Sequence, residues 1–297
     1  MQPKIAFLGL GKQGSAIAGR ILQQGIGLTV WNRTPDKIAP LEKLGAKRAA
    51  TVQEAASGAD IVITSVVDGA ALSALTLGPT GIAQSLPRGG VHCDMSTVDL
   101  ATSRRMAEHY VGTGREFLSS PVLGNPLAAA AGKLLIFAGG SAAAIDACES
   151  FFPAISVRVW RLDQPPRAIA TKLCCNLLLA SMTEALGEVM LLAGRSGVDQ
   201  KSLVEMIMGS SMAAPLLQAK GDMITSKDYA PTFYMRNLLK DVNLALDAAA
   251  TASVSLPCAK SLQEVYAAAA KSGFSELDFA AVYEWLAQQG SATSASA

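Results

Sequence analysis

Histidine is nearly absent from this sequence: His92 and His109 are the two in 297 residues. A histidine-built metal site or a Ser-His-Asp triad has little material to work with, so no metal is expected. The five cysteines, Cys93, Cys148, Cys174, Cys175 and Cys258, form no CxxC pair. An odd, scattered set reads as reduced, buried thiols. Lys and Arg form no block, and 25 basic residues stand against 24 acidic ones. Nucleic acid therefore finds nothing to hold electrostatically. No apolar run reaches the roughly 20 residues of a membrane span. The start shows no basic stretch followed by a long apolar one, so no signal peptide is expected. Together these absences lead to the expectation of a cytoplasmic protein with neither membrane nor nucleic-acid partners.

Apolar residues are abundant instead, at half the chain. That content and length allow two domains with a substantial core. The surplus of apolar residues over polar cover points to self-association. Up to about residue 160, short apolar runs at 4–8, 27–31, 60–66, 90–94, 116–119 and 134–138 alternate with helical stretches. This pattern predicts βαβ units and a mostly parallel sheet. After Pro165-Pro166 the strand signal stops. Residues 168–194 read as one long helix, apolar nearly all round and so expected to be buried on several sides. Further helices are predicted at 200–209, 235–252 and 259–271. The small polar residues from Gly290 to the end are expected to be a disordered tail.

The first strand runs into Gly9-Leu10-Gly11-Lys12-Gln13-Gly14, followed by a helical pattern over 15–24. A GxGxxG between strand and helix is a dinucleotide signature. Its first glycine permits the tight turn. The second lets the backbone approach a pyrophosphate, and the third lets helix and strand pack closely. An NAD site carries an acidic residue about 20 positions on, at the end of the second strand. Here that place reads Trp31-Asn32-Arg33-Thr34, with Lys37 beyond. No carboxylate stands there to repel a phosphate. Arg33 can pair with a 2′-phosphate through a charge-assisted contact, and Thr34 offers a hydroxyl. The expected cofactor is NADPH/NADP+.

With these elements in place the chain resembles the β-hydroxyacid dehydrogenases, kin of 6-phosphogluconate dehydrogenase. The group includes 3-hydroxyisobutyrate dehydrogenase and glyoxylate/succinic semialdehyde reductases. The resemblance rests on the glycine motif, the VWNRT element and Asp94-Met95-Ser96-Thr97. It also rests on Pro121-Val122-Leu123-Gly124, on 172–176 and on Lys240-Asp241. It implies an α/β fold: a Rossmann-like N-terminal domain followed by an all-α C-terminal domain, joined through a long interdomain helix. The corresponding boundaries are 1–163 and 164–290, with the tail at 291–297. It further implies an active site in the cleft between domains, and homodimers or homotetramers. Val66, Val67 and Thr97 match cofactor contacts of the family. Ser96 matches a residue beside the substrate, and Lys240 a lysine reaching cofactor and substrate. Lys172 matches the catalytic lysine, and Asn176 the asparagine that orients it.

Lys172 and Asn176 are four apart and share a helix face. On residues alone Lys172 reads as a surface lysine with a snorkelling stem, and Lys240-Asp241 as a solvated pair. The resemblance reassigns both lysines. The reaction it implies is hydride delivery to a small aldehyde or semialdehyde, with Lys172 protonating the oxygen, or the reverse oxidation of a hydroxy acid. An unperturbed lysine titrates at about 10.4, too high for an efficient base near neutrality. Burial and nearby positive charge would lower it. Asp68, after the third strand, reads as a turn residue.

The chain also departs from the family. The substrate loop, commonly Asp-Ala-Pro-Val-Ser-Gly-Gly, is Ser119-Ser120-Pro121-Val122-Leu123-Gly124-Asn125 here. Leu123, Gly124 and Asn125 remain candidate substrate residues, but Leu123 replaces a carboxylate-binding serine. A bulkier aldehyde, or one without a carboxylate, becomes plausible. Gln13 stands where methionine is usual. Two other readings stay open: an imine reductase on the same fold, and a non-catalytic NADP-binding protein. Lys172, which imine reductases usually lack, speaks against the first, and retention of both Lys172 and Asn176 against the second.

Overall fold

The computed structural model describes residues 2–294. The chain separates into two compact units, Met1–Lys172 and Leu173–Ala297.

The first unit is built on nine strands: β1 (Ile5–Leu8), β2 (Leu28–Trp31), β3 (Lys47–Arg48), β4 (Ile61–Thr64), β5 (Val91–Asp94), β6 (Glu116–Ser119), β7 (Val122–Leu123), β8 (Leu134–Gly139) and β9 (Ser156–Leu162). The sheet order is β3-β2-β1-β4-β5-β6-β8-β7, and β9 pairs with β8. The first six are mutually parallel, in the doubly wound order of dinucleotide-binding folds. β8 runs antiparallel to β6 and β7, and β9 runs parallel to β8. Every residue of β1, β4 and β5 is buried, as expected of central parallel strands covered on both faces.

Helices α1 (Lys12–Gln23), α2 (Gly69–Leu77), α3 (Leu100–Tyr110) and α4 (Pro126–Ala130) follow β1, β4, β5 and β7. Ile17, Ala18 and Ile21 of α1 pack against Phe7, Val30 and Ile63 of the sheet in one core. Cys93 and Cys148 belong to the same core.

All six predicted strands are present. The one expected over 60–66 ends at Thr64, which leaves Val66 and Val67 in the following loop. Three strands were not foreseen. β3 and β7 have two residues each, too short to show a period. β9 (SVRVWRL) breaks alternation at Val159-Trp160 and lies at the side of the sheet with Val157 66% exposed, so it lacks the apolar face of an internal strand.

The second unit is all helical: α5 (Pro165–Arg195), which opens in the first unit, then α6 (Gln200–Met208), α7 (Pro215–Ser226), α8 (Met235–Thr251), α9 (Pro257–Ala269) and α10 (Val282–Ser294). Pro165 sits at the start of α5, where a missing N–H costs nothing. Ala180, Leu186 and Met190 of α5 pack with Leu238, Val242, Leu262, Tyr266 and Phe279 in the core. Burial is one-sided, however. Leu178 and Leu192 are 62% and 70% exposed, which corrects the expectation of burial on several sides. The most apolar 18-residue stretch of α5 has a mean hydropathy of 1.5, enough by length and composition to cross a membrane. The expectation that no run is long and apolar enough is therefore also corrected. A third of that stretch is buried, and Ala180, Leu186 and Met190 carry the helix's contact with the second core.

A buried ion pair closes this unit. Lys220 Nζ lies 2.7 Å from Asp278 Oδ1 and 4.1 Å from the centre of the Phe279 ring. Asp278 Oδ2 accepts from the backbone N–H groups of Thr232 and Phe233 and from the Thr232 hydroxyl. One carboxylate thereby fastens the segment that leads into α8.

Helix α10 reaches Ser294, so residues 291–294 of the expected tail are helical. Residues 295–297 of that expectation lie outside the described residues. Cys174 and Cys258 are exposed rather than buried, and none of the five cysteines is in a disulfide.

Candidate active site

The glycine turn has the geometry its sequence anticipates. Gly9 adopts φ +98°, and a Cβ there would stand 2.3 Å from the Ser65 carbonyl oxygen. A Cβ on Gly14 would stand 2.1 Å from the carbonyl oxygen of Gly9. At Gly11 nothing lies within 4 Å of that position, so the backbone is open to a close approach. Gly11 also caps α1 without a side-chain acceptor. Helices α2, α3 and α4 are capped by Asp68, Asp99 and Asn125. The N-terminus of α1 therefore has no side-chain cap of its own, an arrangement that fits a pyrophosphate.

Asn32 ties this turn to the end of β2. Its Oδ1 accepts from Leu10 N at 2.8 Å and its Nδ2 donates to the Thr34 carbonyl at 2.9 Å. The side chain therefore braces the loop on which Arg33 and Thr34 stand exposed. Lys12 is exposed beside the turn. Gln13 reaches across to the substrate-loop candidate, donating to the Gly124 carbonyl at 3.4 Å.

The third side of this region is the loop after β4. Val66 is half-buried and Val67 58% exposed. The Val66 N–H donates to Ser96 Oγ at 2.9 Å, and Ser96 Oγ donates to Asp94 Oδ1 at 2.6 Å. Ser96 is 3% exposed, and its hydroxyl is engaged on both sides by protein. Thr97, the next residue, is half-buried. Asp68 accepts from Ala71 N and caps α2, the turn role expected of it. Burial pushes the Asp94 carboxyl up to about 6, against the lowering effect of its Ser96 and Thr64 hydrogen bonds. Burial likewise pushes His92 down to about 3. At neutral pH Asp94 is mainly anionic and His92 neutral.

After β6, Leu123 at the end of β7 is half-buried and pairs with Leu135 of β8. Gly124 adopts φ +135°, and a Cβ there would meet Leu134 Cδ2 at 2.7 Å. Asn125 Oδ1 accepts from Ala128 N at 2.9 Å, which commits that oxygen to capping α4. These backbone positions follow from turn and cap chemistry.

Lys172 and Asn176 lie one turn apart on α5, and both are buried, at 7% and 2% exposure. Lys172 is not the snorkelling surface lysine that residues alone suggest. Within the second unit, Asn176 Nδ2 donates to Asp241 Oδ2 at 2.6 Å, and Lys240 Nζ lies 2.8 Å from Asp241 Oδ1. Asp241 is 3% exposed. The Lys240-Asp241 pair is therefore not a solvated one. The role of Asp241 was missed because its partner is 65 residues away. An acidic residue on the buried side of an amphipathic helix was the available signal.

The structure thus groups the sequence-derived residues in two sets. Gly9 to Gly14, Asn32 to Thr34, Val66, Ser96 and Thr97 gather at the C-terminal ends of β1, β2, β4 and β5. There, at the reversal of strand order, parallel sheets of this kind bind ligands. Asn176 and Lys240 converge on Asp241.

Comparison with known proteins agrees with this arrangement. A family model described as the NAD binding domain of 6-phosphogluconate dehydrogenase matches residues 4–162. A second, described as NAD-binding of NADP-dependent 3-hydroxyisobutyrate dehydrogenase, matches 167–286. An uncharacterised oxidoreductase of Bacillus subtilis is 37% identical over 94% of this chain and 98% of its own length. Glyoxylate/succinic semialdehyde reductase 1 of Arabidopsis thaliana is 31% identical, over 95% and 97%. The human cytokine-like nuclear factor N-PAC is 34% identical over 94% of this chain, which spans about half the length of that relative, 51%. Among solved structures, 3-hydroxyisobutyrate dehydrogenase from Salmonella typhimurium superposes with a TM-score of 0.86 at 25% identity, covering 95% of this chain and 99% of its own.

Proposed function

Because the chain belongs to the β-hydroxyacid dehydrogenase family, we propose that it is an NADPH-dependent reductase of a small aldehyde or semialdehyde, using Lys172 as general acid. At the coarser level it is an NAD(P)-dependent oxidoreductase acting on a CH–OH or carbonyl group. The observation that carries the finer reading is the buried pair Lys172 and Asn176 on one helix face, with Asn176 anchored by an anionic partner.

The glycine turn, Asn32 to Thr34, Val66, Val67 and Thr97 hold the dinucleotide. Arg33 takes the 2′-phosphate, which favours NADP(H) over NAD(H). When bound, the nicotinamide supplies or accepts the hydride. As negative charge builds on the substrate oxygen, Lys172 Nζ gives it a proton. In the reverse direction the neutral amine removes the proton. Asn176, held by Asp241, orients the lysine and the substrate oxygen without adding charge. The family resemblance gives Lys240 the role of a positive charge near cofactor and substrate. Leu123 offers apolar surface where relatives of the family carry a serine, so an aldehyde with an apolar body, or without a carboxylate, is favoured. Exposed Leu178, Val189 and Leu192 follow one side of α5 and support association into a homodimer or homotetramer.

The deciding experiment assays NADPH and NADP+ turnover with succinic semialdehyde, glyoxylate, hydroxy acids, apolar aldehydes and a cyclic imine. It uses the wild type and Lys172→Ala. The proposal expects carbonyl reduction by the wild type, and loss of nearly all turnover in the variant with NADPH binding kept. Near-wild-type turnover in Lys172→Ala refutes it. Turnover of the imine alone makes the protein an imine reductase. NADPH binding without turnover on any substrate would instead select the second reading, a non-catalytic NADP-binding protein.

A further inference from the structure

Beneath the loop that carries Val66 lies a chain of buried side chains that the proposed chemistry does not use. It starts at Tyr110, in the last turn of α3, whose hydroxyl is 2.9 Å from His92 Nδ1. His92 Nε2 is 3.0 Å from Thr64 Oγ1, and Thr64 Oγ1 donates to Asp94 Oδ1 at 2.7 Å. On the other side Ser96 donates to the same Oδ1, and Val66 N–H donates to Ser96. Thr64, His92, Asp94 and Ser96 are all at most 3% exposed.

Each proton in this chain has one consistent direction. Thr64 has a single hydroxyl proton and gives it to Asp94, so it accepts from His92. His92 is neutral, so Nε2 carries the hydrogen and Nδ1 accepts from the Tyr110 hydroxyl. Ser96 also gives its one proton to Asp94, which leaves its lone pairs facing Val66 N–H. Two strings of donors therefore converge on one carboxylate oxygen, while Asp94 Oδ2 has no hydrogen-bond partner among the described residues. Burying an anion without a cation is costly, and an apolar core would be the cheaper filling. The anion does set the rotors of two hydroxyls through short charge-assisted bonds. The strand register places Thr64 opposite Asp94 and Val62 opposite His92, so the chain crosses β4 and β5 just before the loops that leave them.

We propose that Thr64, His92 and Tyr110 are positioning residues for the dinucleotide, acting through Asp94 and Ser96 to fix the Val66 N–H and the seating of the Val66-Val67 loop against the cofactor. This rests on the reading of that loop as a cofactor contact. The consequence is specific. Loss of a link deep in the sheet changes cofactor affinity, and changes it through Ser96.

The test is NADPH binding by fluorescence titration, with steady-state kinetics, on the wild type, Thr64→Val, Thr64→Ser, Ser96→Ala and the Thr64→Val/Ser96→Ala double variant. Thr64→Val is isosteric and should weaken NADPH binding about tenfold, the worth of one hydrogen bond to a charged group. Turnover at saturating NADPH should stay within about twofold. Thr64→Ser should restore affinity. The double variant should bind no more weakly than Ser96→Ala alone, because the two act in series. Tyr110→Phe, which keeps the ring, serves if Thr64→Val does not fold, and should weaken binding by about threefold. A lower melting temperature with unchanged NADPH affinity would show a purely structural chain and overturn the proposal, as would additive losses in the double variant. A wild type that binds neither NADPH nor NADH instead removes the cofactor reading, and the proposal with it.

Discussion

The carboxamide of Asn176 is held by Asp241, Nδ2 to Oδ2 at 2.6 Å, and the other oxygen of that carboxylate meets Lys240. One buried anion thereby sets two side chains that the family resemblance assigns to the reaction. An asparagine amide can turn, and its orientation is worth little unless something holds it. Asp241 supplies the hold, and it neutralises part of the positive charge that Lys240 brings.

Asp241→Asn should keep the helix and much of the packing, but replace a charge-assisted bond by a neutral one. The expected loss in kcat/KM for the best aldehyde is about tenfold or more. Circular dichroism and the melting curve should stay close to wild type. Equal kcat/KM in variant and wild type would remove Asp241 from the site.

Arg33 stands exposed on the loop braced by Asn32. Replacing it with Asp places a negative charge where a 2′-phosphate would sit. The NADPH Michaelis constant should rise by about tenfold or more, and the NADH constant far less. Parallel changes for the two cofactors would refute the NADP(H) preference.

The Lys220–Asp278 pair permits a stability prediction. Asp278→Ala leaves a buried ammonium against Phe279 and strips acceptors from Thr232 and Phe233. Loss of one partner of a buried pair costs about 3–5 kcal/mol. The unfolding free energy of the variant, extrapolated from urea melts, should fall by that amount, while Asp278→Asn, which keeps an acceptor, should lose less. A shift under about 1 kcal/mol for Asp278→Ala would show the pair to be dispensable.

Acid titration should separate Asp94 from His92. The Asp94 carboxyl is raised to about 6, so the folded chain holds that proton more tightly than the unfolded one. Its contribution to stability is full below about pH 4 and is lost as pH rises through 6, a difference of about 3 kcal/mol at most. His92 is lowered to about 3 and acts oppositely: its contribution is lost as pH falls below about 6.5. The two offset each other between pH 6 and 4. Asp94→Asn removes the compensating group, so its stability should fall more steeply than wild type over that window. Parallel curves from urea melts at the two pH values would contradict this assignment.

The sequence by itself determined the fold class and the dinucleotide turn. Both are local properties. A six-residue glycine pattern is dictated by sterics at Gly9 and Gly14, and alternating strand and helix periods demand a parallel sheet whichever residues fill the core. The family motifs added Lys172 and Asn176, whose shared face follows from helix geometry alone. Tertiary structure decided what those residues touch. Asn176 finds Asp241 across 65 positions, and Ser96 turns its hydroxyl inward to Asp94 and Val66. Thr64, His92 and Tyr110 become one chain only because the register of β4 and β5 aligns them. Hydrogen bonds between distant residues depend on register and packing to within fractions of an ångström, and no pattern of residue types along a chain encodes that distance.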